Sequence, residues 1–330
     1  MRGVVGLSLV AIMVIVIGGQ ASAATRLTVE AVNATDFSKP KSKGSAKRPE
    51  ASVVKGEILL DRAGFSPGVI DGRGGENFTK ALTSYQHANG LTESGKLDQA
   101  TWSLLVQNDP APVLVPYTIA VTDVKGPFTP KIPHKLEQMA ALDGLHYTSP
   151  LEGLAEHFHM DQGLLRALNP GKNFENAGDV IMAANVARDV ANTRAAKVEV
   201  DKATKQVRAI AKDGSIMAVF PASVGSAEKP APSGLFKVRM VAHDPTYHYN
   251  PKFEFKGVHA DKPFTIKPGP NNPVGSVWID LTAASYGIHG TPEPSQVSKA
   301  YSHGCVRLTN WDAERLARLV GKGTPVEFLE

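Results

Sequence analysis

Apolar residues follow three different rhythms along this chain. Residues 4–17 form a nearly unbroken apolar run, shorter than the ~20 residues a membrane-spanning helix needs. Arg2 precedes it, Gly18-Gly19 interrupts it and Ala21-Ser22-Ala23 follows. That order of charge, apolar run and small residues predicts a secretory signal peptide over 1–23, an uncleaved anchor being the competing reading. Periodicity then disappears: Lys39, Lys41, Lys43, Lys47 and Arg48 lie among Ser, Gly and Pro, a composition that predicts a flexible basic linker over 24–52.

Helical spacing occupies 53–107. Ile58, Leu59 and Leu60 open a helix that Gly64 can end; Phe78, Leu82 and Tyr85 define a second; Leu97, Trp102, Leu104 and Leu105 close the small core. Asp71-Gly72, Asn89-Gly90 and Ser94-Gly95 mark turns. Residues 108–146 carry Pro110, Pro112, Pro116, Pro127, Pro130 and Pro133 and read as an extended connector, with a strand possible over 117–121. Over 147–190, Leu151, Leu154, Ala155 and Phe158 suit one short helix and Leu164, Leu165 and Leu168 another, stopped by Asn169-Pro170-Gly171.

From Ala196 the period falls to two. Val198 and Val200 alternate with Lys197, Glu199 and Asp201, and Asp213-Gly214 predicts a hairpin between the runs 206–211 and 216–220. Near the end, Thr309 and Asp312 suggest a capping box for a helix whose apolar face is Ala313, Leu316, Ala317, Leu319 and Val320. Gly321 ends it, and 326–329 reads as a last strand. The fold class expected is multidomain: a small α-helical module, a small α+β unit and a mainly β, sandwich-like domain with one late helix.

At 330 residues the chain has room for two or three domains. Its 36 Lys+Arg against 32 Asp+Glu leave +4, too mild for a nucleic-acid partner and in keeping with a solubility charge. Composition changes the picture through one residue. Cys305 is the sole cysteine, so an exported chain cannot use it for an internal disulfide. A lone thiol outside the cytoplasm is open to oxidation, and keeping one calls for a reason.

The surrounding residues supply that reason: Ile288-His289-Gly290-Thr291, then Ser302-His303-Gly304-Cys305-Val306-Arg307-Leu308. A thiol of pKa about 8.5 is mostly protonated at neutral pH, and a neighbouring imidazole can take its proton. His303, two residues before Cys305, shares its face in an extended segment; His289 ends a strand that can lie alongside. Gly304 permits close backbone approach, so the N–H groups of Gly304 and Cys305 can face a developing oxyanion. Arg307 favours a thiolate or holds a substrate carboxylate. Tyr247, His248, Tyr249, Asn250 and Phe253 read as a loop over the cleft, Trp278 and Trp311 as core.

These two motifs make residues 196–330 resemble the catalytic domain of the L,D-transpeptidases, the YkuD domain. Pro232-Ser233-Gly234, Pro270-Asn271-Asn272-Pro273-Val274-Gly275, Thr291-Pro292-Glu293-Pro294, Thr309-Asn310-Trp311-Asp312-Ala313 and Gly323-Thr324-Pro325-Val326 support it. Ser298 departs from the pattern, where relatives carry glycine. Residues 53–107 resemble a peptidoglycan-binding module through Gly68-Val69-Ile70-Asp71-Gly72, Tyr85-Gln86, Gly95-Lys96-Leu97-Asp98 and Thr101-Trp102. Residues 147–190 resemble a degenerate lysin motif, a glycan-binding unit elsewhere, through Leu154-Ala155-Glu156-His157-Phe158, Leu168-Asn169-Pro170-Gly171 and the 178–182 tail.

The resemblance implies a ping-pong acyl transfer. Cys305 attacks a peptidoglycan tetrapeptide stem after its third residue, terminal D-alanine leaves, and the thioester passes to an amine of a neighbouring stem to give a 3-3 cross-link. It also implies His289 as general base, His303 as the orienting residue and Ser302 as positioning through its backbone, with Gly290, Thr291 and Arg307 binding substrate; the residues themselves leave the two histidines interchangeable. Neither metal nor cofactor is called for. The expected partners are stem peptides and glycan strands, and the expected location is the periplasm or cell envelope. A zinc hydrolase using His243, His248, His259, His289, His303 and Cys305 is the rival reading, although no His-Glu-x-x-His spacing occurs. A non-catalytic wall-binding protein is a third, and the intact His289 and Cys305 pair speaks against it.

Overall fold

A computed structural model describes residues 27–37, 48–186, 193–225, 230–251, 260–299 and 304–330. The signal segment expected at 1–23 lies outside the described residues, as do Phe253, His259, Ser302 and His303.

The helical rhythm of the first module folds as expected. Helix α1 (Val29–Asn33) leads to α2 (Ala51–Arg62), α3 (Glu76–Ala88) and α4 (Gln99–Asn108). Phe78, Ala81, Leu82 and Tyr85 form one buried stripe of α3. Buried polar groups fix the turns: Glu57 accepts the N–H groups of Asp71 and Gly72, and Gln86 bonds Thr101 Oγ1 at 2.8 Å and the Gly95 N–H at 2.9 Å. The Tyr85-Gln86 and Gly95-to-Asp98 motifs thus hold this fold together. Helix α1 lies inside the stretch that composition marks as linker. It is ordered because Val32 is buried and Asn33 bonds both the N–H and the C=O of Leu114.

Strand β1 (Leu114–Thr118) pairs antiparallel with β2 (Val180–Ala184). Between them come α5 (Val121–Lys125), α6 (Leu136–Met139), α7 (Pro150–His157) and α8 (Gln162–Leu168). The strand read from sequence over 117–121 begins three residues earlier, at Leu114; in a two-stranded sheet Pro116 costs little, since one edge needs no donor. Asn169 closes the unit, its amide bonding Leu165 O and its side-chain oxygen the Met182 N–H. A single buried core runs through both small units, so they pack as one body.

The C-terminal domain is mainly β. Its strands are β3 (Lys197–Asp201), β4 (Gln206–Ile210), β5 (Ile216–Pro221), β6 (Ser223–Val224), β7 (Gly234–His243), β8 (Tyr247–Tyr249), β9 (Phe264–Ile266), β10 (Val277–Leu281), β11 (Gly287–His289), β12 (Val306–Arg307) and β13 (Pro325–Leu329), with helix α9 (Asn310–Leu319) before the last. Nine described strands run β5-β4-β3-β13-β7-β10-β11-β12-β6, and β8 pairs with β9 apart from them. The long β7 divides its partners: residues 234–237 face β13, and 238–243 face β10. The two halves share one core, in which Val200 and Val207 of one half join Ile279, Ile288 and Val306 of the other and Leu316 of α9. That is the sandwich-like arrangement expected.

The first module covers the exposed edge of β5, through Ser66 N–H to Val219 O at 2.9 Å and Val219 N–H to Gly64 O at 2.8 Å. Gly64 has φ +93°, and a Cβ there would stand 2.9 Å from Met217 O, so glycine both ends α2 and admits this contact.

Candidate active site

Strands β11 and β12 are parallel neighbours, with Ile288 opposite Val306 and His289 opposite Arg307, and the Leu308 N–H donates to His289 O at 2.8 Å. A parallel pair needs a crossover connection; here it is 290–305, which ends on Gly304 and Cys305 just before β12. Cys305 sits in the bend just before β12, close enough for its charge to act on Arg307, and registry puts His289 beside Arg307. The sequence motifs at 288–291 and 304–308 are thereby brought together.

His289 is 5% exposed. Its Nδ1 lies 2.7 Å from Gly290 O; a carbonyl only accepts, so Nδ1 carries the hydrogen and Nε2 keeps its lone pair. Burial first, and then the Arg307 charge, pull its pKa down to about 3, so the ring is neutral at neutral pH. The Trp278 ring stacks on it, centroids 5.4 Å apart and planes at 21°. Trp278, which sequence reading assigned to the core, therefore walls the site.

Cys305 is partly exposed, and its Sγ lies 3.8 Å from Ser285 O, in the turn between β10 and β11. Gly304 has φ +102°, and a Cβ on it would meet the Tyr286 ring at 2.9 Å, so the residue before the thiol has to be glycine. Burial pulls the Arg307 guanidinium below its usual range, against the opposing charges of Glu293 and Cys305. Tyr247 is pushed up to about 12, by burial first and then by Cys305, which places the β8–β9 hairpin at the thiol, where the cleft loop was expected.

Thr291 is buried and accepts the Glu293 N–H, and Gly290 packs so closely on Asn310 that a Cβ would overlap its Oδ1. Ser298 adopts φ +68°, the left-handed conformation that glycine favours. Its hydroxyl bonds Ala222 O at 3.1 Å and its N–H the Ser223 Oγ at 3.0 Å, tying the crossover to β6. Ser302 and His303 lie outside the described residues. Among the described residues no three His, Cys, Asp or Glu side chains converge as a metal donor set. His248 instead bonds Thr246 and Thr265. Sequence reading missed Trp278, Tyr286 and Glu293 as neighbours of the site; only strand registry and loop packing bring them there.

Cys305 in the bend before β12 and a neutral, oriented His289 on the adjacent β11 form an arrangement that can support acyl transfer. The family model of the L,D-transpeptidase catalytic domain matches residues 195–328, and that of a peptidoglycan binding domain matches 49–105. A Bacillus subtilis protein named as an L,D-transpeptidase, YqjB, is 31% identical over 134 residues, covering 39% of this chain and 68% of that one. The Bacillus licheniformis protein YkuD, named likewise, is 28% identical over 180 residues, 54% of this chain and 92% of that one. Escherichia coli YbiS is 27% identical over 187 residues, and the chain spans 61% of its length. The chain belongs to the L,D-transpeptidase family. No helix among the described residues is long and apolar enough to cross a membrane.

Proposed function

We propose that this protein is a cysteine-dependent peptidoglycan L,D-transpeptidase that forms 3-3 cross-links, exported to the cell envelope through residues 1–23. The observation that carries the reading is the parallel register of His289 on β11 with Arg307 on β12, the Cys305 thiol lying close enough for its charge to act on Arg307. Cys305 Sγ attacks the carbonyl carbon after the third residue of a tetrapeptide stem. Its proton passes to His289 Nε2 and then to the departing D-alanine nitrogen, leaving a thioester. An amine of a neighbouring stem attacks that thioester, giving its proton to His289 as the thiolate leaves. Arg307 favours the thiolate, and the N–H groups of Gly304 and Cys305 receive the oxyanion. Ser302 and His303 orient the nucleophile, and Gly290 and Thr291 line the stem site. The first module, and the unit bounded by β1 and β2 as a lysin-motif relative, hold the enzyme to the wall, and no cofactor or metal takes part.

The test uses a purified disaccharide-tetrapeptide. Released D-alanine, an acyl-enzyme mass mapped to Cys305 and a cross-linked dimer are expected, with all three absent in Cys305→Ala. Cross-linking that persists in Cys305→Ala overturns the mechanism, and thioester hydrolysis without dimer overturns the acceptor.

A further inference from the structure

A cavity of about 420 Å3 lies where the unit bounded by β1 and β2 meets the catalytic domain, walled by α7 and the loop before it on one side and by the start of α9 on the other. That volume is within the ~300–1,000 Å3 of small-ligand sites. We propose that it binds a short segment of uncharged, N-acetylated sugar, so that glycan held there bridges the two units. This rests on the transpeptidase reading only for its purpose, the orientation of a stem peptide toward Cys305.

The lining chemistry selects the ligand class. Among the described residues no Lys or Arg lines the cavity, whereas Asp123 and Glu314 do, which disfavours phosphate and carboxylate ligands. Trp311 is 6% exposed and its buried indole N–H has no partner; an indole nitrogen only donates, so it calls for a ligand oxygen rather than an ammonium. Glu156, bonded by the Asn310 amide at 3.0 Å and by the Tyr147 hydroxyl, is pushed up to about 8 by burial first. It therefore keeps its proton at neutral pH and adds a second donor. Phe128 and Tyr147 add apolar rings, which suit the flat C–H faces of a pyranose. Donors, acceptors and aromatic faces without a described lysine or arginine fit hydroxyl and acetamido groups on sugar rings.

The position gives the site a use. Asn310 bonds Glu156 on the cavity side and packs against Gly290 on the other, one residue from His289. A sugar seated there lies a single side chain behind the strand that carries the proposed base.

Titrating the full mature chain carrying Cys305→Ala with tetra-N-acetylchitotetraose by calorimetry tests the site, with cellotetraose and 1,5-diaminopentane as comparison probes. Saturable binding of the acetylated sugar is expected, weakened about tenfold in Phe128→Ala and weakened also in the milder Tyr147→Phe, with far-ultraviolet circular dichroism of both variants unchanged. Absence of saturable binding, equal affinity in both variants, or saturation by the diamine instead overturns the proposal. D-alanine release from a free tetrapeptide by the unmutated chain, measured alongside, reports on Cys305 alone; its persistence without sugar binding removes this site and leaves the transpeptidase reading intact.

Discussion

At the scale of single residues, His289 is a weak base in the resting protein because burial and Arg307 both disfavour its charged form. In the proposed mechanism, proton transfer from Cys305 pairs the new imidazolium with the thiolate, which Arg307 also stabilises. An imidazole with a pKa near 3 stays unprotonated through mild acid. The acid limb of the kcat/KM profile for D-alanine release is accordingly expected below about pH 5, under the ~6.5 of an ordinary histidine. Arg307→Ala should move that limb upward by removing a repelling charge; an acid limb near 6.5 in the unmutated enzyme contradicts this electrostatic picture. Ser298 makes a second residue-scale case. A left-handed serine costs about 1 kcal/mol, and here its hydroxyl bond to Ala222 O offsets that cost. Ser298→Ala keeps the strain and loses the bond, so chemical denaturation should show a loss of about 1–2 kcal/mol, whereas Ser298→Gly should stay within about 1 kcal/mol of the parent.

Among the elements, α9 does the most positioning. Its first three residues each meet another unit: Asn310 bonds Glu156, Trp311 stacks on His159 with centroids 5.2 Å apart, and the Asp312 carboxylate takes the Ser66 hydroxyl at 2.9 Å. Thr309 caps the helix by accepting the Asp312 N–H, but the Asp312 carboxylate reaches across to Ser66, so only half of the capping box read from sequence is made. Thr309→Ala should lower stability by about 1 kcal/mol in denaturant titration and should weaken D-alanine release too, since Gly290 packs on this turn. What the sequence disclosed at this scale follows from locality. The stripe of α3 and the alternation of β3 are written within one element, and each appears where expected. The site was legible as two motifs, yet the parallel registry that joins them depends on residues 18 positions apart folding onto adjacent strands, and Trp278 reaches His289 only through the antiparallel pairing of β10 with β11. The bounds of strand β1 were misplaced and helix α1 was hidden for a like reason: each is ordered by partners more than 60 residues away, Val180–Ala184 for one and Leu114 for the other.

For the molecule as a whole, the junction of the three units is a buried polar seam. Asp61 of the first module meets His159 Nδ1 of the second at 2.6 Å and Arg315 of the catalytic domain at 3.8 Å, and Asp61 in turn helps push Asp312 up to about 7, after burial. Glu156 nearby stands at about 8. Both carboxyls hold their protons in the folded chain over a range where the unfolded chain has lost them. Their contribution is therefore complete below the ordinary carboxylate pKa near ~4 and drains away as pH rises through 7 and 8. His289 acts in the opposite sense: its depressed pKa removes stability as pH falls from about 6.5 toward 3. Above pH 6.5 only the carboxyl effect remains of the two. The melting temperature should thus fall between pH 6.5 and pH 8.5, by the equivalent of about 2 kcal/mol. Glu156→Gln keeps an oxygen for the Asn310 amide and removes the proton linkage, so its melting temperature should vary less over that interval. Scanning calorimetry of both proteins at the two pH values measures the difference. Equal slopes in parent and variant would mean that the seam does not couple protonation of Glu156 to the docking of the two N-terminal units on the catalytic domain.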